Sequence, residues 1–347
     1  GGMASTQLHG LTMPADTVWD FTQMIGVTET GTETAYDEDW HQARLSIERT
    51  VDRVLDEAQV YAVHDRLRSL AERSPESQLH TGSGWGALEL QRRKRTEGRG
   101  IPAGFDFANS SIGEPQYPWL ALLQDGRLPE QATEDIPASW MIQDEWAEML
   151  RASLASEENR SWTAYLHLGV MFYEKGMRDQ ALEAWEASLR LKPSPWAYRN
   201  LAAAMMQQGA SDRALSYLEQ AYLVSNRFPD RAFAEEYLCL LVEGGEFDKA
   251  WRVYESLPSD FAQGDRLRII VGAAALALDK DDFMERLFET EFAVIREGEV
   301  AIIELWYRYN AKKLAAARGG ELTPEIVEEA KTRFPPPAHL DFRMIGS

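Results

Sequence analysis

The chain has 347 residues, with 36 Lys or Arg against 56 Asp or Glu, giving a formal net charge of −20. At 44% apolar and 27% charged it has the composition of a soluble globular protein, long enough for one large or two medium cores. Residues 1–138 and 139–347 each carry a net charge of −10, which excludes a nucleic-acid-binding half, and no apolar run reaches the roughly 18–20 residues that cross a bilayer.

Residues 1–36 are polar and Thr-rich, and the alternation over 18–25 (Val18, Trp19, Asp20, Phe21) predicts one strand. A lone strand is unstable, so this stretch is expected to be an arm, or the remnant of a preceding β domain. From Trp40 the period changes. Trp40, Ala43, Ile47, Val51, Val54 and Ala58 recur at spacings of three and four, behind Asp37, Glu38 and Asp39 at the start. With Leu67, Leu70 and Ala71 this predicts one long helix reaching about Glu72. Residues 74–138 contain Gly82-Ser83-Gly84-Trp85-Gly86, the basic run Arg92-Arg93-Lys94-Arg95 and the aromatics Phe105, Phe107, Tyr117 and Trp119, punctuated by Pro115, Pro118, Pro129 and Pro137. The stretch is expected to be an irregular aromatic strap packed on the helices, with the basic run solvated at the end of a short helix. Residues 37–138 thus form a helical segment plus strap, and the helical domain proper is placed at 139–347.

From residue 139 an internal repeat appears. Tyr165, Leu168, Gly169, Phe172, Gly176, Ala181, Trp185 and Pro193 fit the helix–turn–helix template of the tetratricopeptide repeat (TPR). Tyr198, Leu201, Ala202, Met205, Gly209, Ala214 and Leu218 repeat it 33 residues later, and Leu238, Leu241, Gly245, Ala250 and Tyr254 repeat it again after 36. Gly169 and Ala202 let the two helices approach, Gly176, Gly209 and Gly245 suit the turn, and Ala181, Ala214 and Ala250 sit at the crossing. Residues 267–278 and 283–293 suggest a fourth hairpin, and helices are predicted at 301–317 and 324–333, the last capped by Thr323. The expected fold is all-α: a TPR-like helical solenoid with an N-terminal long helix and an irregular aromatic loop segment.

Several local motifs stand out: Gly82-Ser83-Gly84-Trp85-Gly86-Ala87-Leu88-Glu89, Trp119-Leu120, Leu166-His167-Leu168-Gly169-Val170, Pro193-Ser194-Pro195-Trp196-Ala197, and the run from Phe334-Pro335-Pro336-Pro337 through Met344. Together they resemble the C-terminal part of a bacterial family that joins a β-sandwich domain of unknown function, similar to galactose-mutarotase-like carbohydrate domains, to TPRs. The resemblance implies that this chain is the C-terminal piece of a longer protein linked to carbohydrate handling. It places no catalytic residue here.

The candidate chemistry is sparse. Gly82-x-Gly84-x-Gly86 lacks the GK[ST] ending of a phosphate loop and is better explained as a tight turn into a short helix. Glu89 with Asp106 is one carboxylate pair among many. Six scattered histidines have no metal-ligand spacing, and the single Cys239 excludes a disulfide framework and fits a cytoplasmic setting. No residue is assigned a catalytic, cofactor-binding or metal role. The groove of the solenoid is the main candidate site, carrying Tyr173, Glu174, Trp196, Arg199, Gln207, Glu235 and Glu243 toward a peptide or protein domain. Leu166 and Val170 occupy the positions where the TPRs that grip acidic C-termini need Lys and Asn, so that clamp is absent. The occupant is expected to be a partner, an adjoining β-sandwich, or the chain's own 74–138 loop. The expected function is a non-catalytic interaction module. The alternative is an accessory or site-completing part of a carbohydrate-active enzyme, with Trp85, Glu89 and Trp119 facing the sugar.

Overall fold

The computed structural model describes residues 9–14, 17–36, 38–71, 73, 76–77, 79–96, 105–225, 230–292 and 300–342. Asp37, Glu72 and Met344, named above, and residues 293 and 343 of the stretches above lie outside the described residues. Among those described, every regular element is helical and no strand occurs, and no helix is long and apolar enough to cross a membrane. The chain divides into two compact units, residues 1–113 and 114–347.

The first unit holds α1 (Thr32–Ala35), α2 (Trp40–Val54), α3 (Glu57–Ala71) and α4 (Gly84–Thr96). The strand expected at 18–25 is irregular chain, with Val18 and Ile25 at least nine-tenths exposed. No second strand is present among the described residues to pair with it. Side chains hold it instead: Thr22 Oγ1 meets His64 Nδ1 at 3.0 Å and Arg68 pairs with Asp20 at 3.0 Å. The single long helix expected to Glu72 is two helices. Leu55 is extended (φ −132°, ψ 108°), and the Asp56 carboxylate accepts from the Ala58 amide at 3.0 Å, starting a new helix rather than continuing the old one. Asp39 caps α2 in the same way, accepting from the His41 amide at 2.9 Å.

The glycine-rich turn leads into α4 as expected, but its glycines serve packing. A Cβ at Gly82 or Gly86 would stand 2.4 or 2.3 Å from the Phe107 ring. The Phe107 ring therefore packs directly on the glycine backbone. Arg92, expected in solvent, is buried, because its guanidinium donates twice to Glu89 at 2.8 Å and leaves no unpaired charge inside.

The second unit begins with α5 (Tyr117–Asp125) and α6 (Asp144–Ser153), followed by α7 (Trp162–Glu174), α8 (Arg178–Leu191), α9 (Pro195–Gln207) and α10 (Ser211–Val224). It continues through α11 (Arg231–Glu243), α12 (Phe247–Glu255), the short α13 (Ser259–Ala262), α14 (Asp265–Ala277), α15 (Asp281–Phe288), α16 (Ala301–Ala317) and α17 (Pro324–Arg333). Packing follows chain order: α7 lies on α8, α9 on α10, α11 on α12, α14 on α15 and α16 on α17, with each pair against the next. Side-chain oxygens cap the first helix of three pairs, Ser161 accepting from Ala164, Ser194 from Ala197 and Asp230 from Phe233.

One turn recurs between the helices of all five pairs. A residue at positive φ stands at Gly176 (73°), Gly209 (72°), Gly245 (73°), Asp279 (55°) and Gly319 (64°). Across each, the next amide donates to a carbonyl five residues back: Met177 to Phe172, Ala210 to Met205, Glu246 to Leu241, Lys280 to Ala275 and Gly320 to Ala315. The fourth pair escaped the glycine pattern because Asp, whose short polar side chain tolerates the left-handed region, takes the place of Gly. Ala181, Ala214 and Ala250 are fully buried, and at Gly169 a Cβ would strike Trp185 Nε1 at 2.3 Å.

Residues 114–138 belong to this unit. Trp119, Leu122, Leu123 and Leu128 are buried, and Trp119 Nε1 donates to the Ser139 carbonyl at 2.7 Å. Its ring meets Trp146 edge-on at 6.1 Å and His167 at 5.2 Å.

Candidate functional site

The strap of residues 126–142 passes over the start of α7 and α9. Trp162 Nε1 donates to the Gln131 carbonyl (3.0 Å), the Gln131 amide donates to Thr163 Oγ1 (3.2 Å), and Trp196 Nε1 donates to the Thr133 carbonyl (3.1 Å). Trp162, Thr163, Leu166 and Trp196 are buried in consequence. Trp196 is therefore closed to an incoming partner, contrary to its expected place among the contact residues. Residues 131 and 133 of the chain's own loop are the groups bonded to these two helices.

The neighbouring expected residues are engaged with one another. Tyr173 donates to Gln207 Oε1 at 2.6 Å, and Arg199 grips Glu236 with two hydrogen bonds, the Nε one at 2.8 Å. That pairing raises the Arg199 pKa above its ordinary value, with burial opposing it. Glu174 is exposed. These contacts tie α7 to α9 and α9 to α11, so they serve cohesion between pairs.

Glu235 and Glu243 lie elsewhere, in an open groove of about 900 Å³ lined from α11, α13, α14 and α16. Cys239, Val242, Ile269, Ile270, Ala273 and Leu305 give it an apolar floor, and Arg231, Glu243, Asp260, Arg266, Glu304 and Arg308 stand around them. Glu235 is spoken for, because Arg231 and Arg266 both reach it at 3.1 Å. Gly264 makes room for this, since a Cβ there would lie 2.6 Å from the Arg231 guanidinium. Asp265 pairs with Arg268 at 2.7 Å. Burial, with the Glu243 carboxylate next, pushes the Cys239 thiol above its usual pKa, so it stays a thiol at neutral pH and is a poor nucleophile. The α14 and α16 residues were not among the expected site residues, because pair four has Asp279 in place of the turn glycine and Gly319 of pair five was not read as its turn. Spacing from Asp279 and Gly319 would have supplied the register.

A smaller hollow of about 490 Å³ is bounded by Trp251, Tyr254 and Phe283, with the Lys280 ammonium already 5.3 Å from the Trp251 ring. The residues expected to face a sugar divide between the two units. Trp85 and Glu89 belong to the first unit, and Trp119, in the second, is fully buried. The hydrogen bond from Arg92, joined by one from Arg93 and opposed by burial, holds the Glu89 carboxyl at about 2, which leaves it no proton to donate near neutral pH. Among the described residues no three His, Cys, Asp or Glu side chains gather to hold a metal ion. No protein-family model and no curated protein matches this chain.

Proposed function

We propose that residues 114–347 are a TPR-type solenoid of five helical hairpins acting as a non-catalytic interaction module, with a segment of a partner protein seated on α11, α14 and α16. The observation that carries this reading is the open groove of about 900 Å³, whose floor is apolar while charged side chains stand at its edge. The five turns at positive φ support the solenoid, and the strap seated on α7 and α9 is an internal example of chain held by the first helices of successive pairs. The free Cys239 fits a reducing compartment such as a bacterial cytoplasm. The carbohydrate alternative rests on the family resemblance alone, and the burial of Trp119 gives it no support.

The test is selection from a random peptide library on the immobilised protein. Selected peptides should protect Cys239 from thiol labelling and should fail to bind an Ala273→Trp variant whose melting curve is unchanged. Peptides that bind this variant equally, or leave Cys239 fully reactive, would overturn the groove as the binding site.

A further inference from the structure

We propose that the groove of α11, α14 and α16 selects an extended segment that alternates apolar with basic side chains. This rests on the interaction-module reading and adds the chemistry of the ligand. The template for an extended ligand is the chain's own non-helical segment at 131–133, held by the first and second helical pairs. The carbonyls of Gln131 and Thr133, two residues apart, are taken by indole N–H groups from α7 and α9 in turn. Alternate carbonyls of an extended chain lie about 7 Å apart and point the same way, so successive helices can each address one. A helical ligand would have its carbonyls internally bonded and could not be read in this manner.

Alternation follows from the same geometry, since one set of side chains faces the floor and the other faces the rim. The floor is Val242, Ile269, Ile270 and Leu305. At the rim the charges do not cancel. Glu235 is shared by Arg231 and Arg266, and Asp265 is taken by Arg268. Glu243, Asp260 and Glu304 have no salt-bridge partner among the described residues, while Arg308 is the one lining cation equally without one. With the second guanidinium on Glu235 counted, three carboxylates face two uncompensated positive charges, a net of −1 on a chain of net charge −20, which favours Lys or Arg on the ligand over acidic side chains. The long stems of Lys and Arg also cover apolar surface while their charged ends reach the carboxylates.

Three blocked octapeptides test this, alternating Val with Lys, Val with Glu, and Val with Ser, each read by fluorescence anisotropy and by protection of Cys239. The Val/Lys peptide should bind and protect the thiol, the Val/Ser peptide more weakly, and the Val/Glu peptide not at all. A Glu243→Gln, Asp260→Asn, Glu304→Gln triple variant should weaken Val/Lys binding by about tenfold or more. A control triple variant on exposed carboxylates of α6 and α8 (Glu148→Gln, Asp179→Asn, Glu183→Gln) should leave it within about twofold, which separates the groove from general attraction to an acidic chain. Equal binding of the Val/Ser or Val/Glu peptide with Cys239 protected would overturn the charge selection and leave the groove reading standing. Binding weakened as much by the control variant, or not weakened by the groove variant, would also overturn it. Absence of all binding, with Cys239 reactive throughout, would overturn both.

Discussion

His167 on α7 shows how one residue's surroundings set its chemistry. It is almost completely buried beside Trp119, and its Nε2 has no hydrogen-bond partner. Burial alone pushes its pKa down from 6.5 to about 4. The folded protein therefore holds it neutral, while the unfolded chain takes up a proton once the pH falls below about 6.5. Stability from this residue is intact above that pH and is lost progressively down to about 4, for a total of about 3 kcal/mol. Urea unfolding from pH 7 to 4 should show this loss in the wild type and lack it in His167→Gln. A His167→Gln profile with the same slope would assign the acid sensitivity to other groups. Elsewhere a residue's tolerance of an unusual backbone explains a hidden repeat, as Asp279 at φ 55° does for the fourth helical pair.

At the scale of elements, the strap decides what α7 and α9 can do. Trp196 would be a natural interface anchor if exposed, but the carbonyl of Thr133 and the burial of its ring make it part of the core. Trp196→Ala should therefore destabilise the fold by about 3–5 kcal/mol, as large-to-small changes of buried aromatics do. Trp196→Phe, which keeps most of the ring and removes the indole donor, should cost about 1–2 kcal/mol. Chemical denaturation of the two variants measures both. A Trp196→Ala protein as stable as the wild type would mean that the strap does not hold this position. The break between α2 and α3 has the same character. Asp56 caps a new helix, and a short local hydrogen bond outcompetes continued helix where no buried face demands continuity.

At the scale of the whole molecule, the placement of the unit boundary at 113/114 has a direct consequence. A fragment of residues 114–347 keeps Trp119 on Trp146 and keeps the strap over Trp162 and Trp196, so it should unfold cooperatively on its own. A fragment of residues 139–347 loses Trp119, Leu122, Leu123 and Leu128 from the core and uncovers both indoles. Its stability should be lower by on the order of 5 kcal/mol or more, from the transfer of these side chains' contacts to water. Denaturant melts of the two fragments compare them directly. Equal midpoints would show that the strap is an ornament on helices that stand without it.

The sequence by itself determined many of the helices and three of the five turns. Ala301–Ala317 and Pro324–Arg333 were legible from apolar spacing, from Thr323 and from the proline after it, and the turns at Gly176, Gly209 and Gly245 from glycine alone. These signals are local, because a cap or a turn is settled by groups three to five residues apart. The closure of Trp196 was not legible, since it depends on a carbonyl 63 residues away. Nor was the burial of Arg92, or the emptiness of the alternating stretch at 18–25, where a strand pattern found no partner strand. The open groove was half legible: Glu235 and Glu243 were in view, but much of its floor comes from α14, whose turn carries Asp279 in place of glycine, and from α16. Which side chains a groove brings together is decided by packing between helices distant in the chain, and only the tertiary structure holds that information.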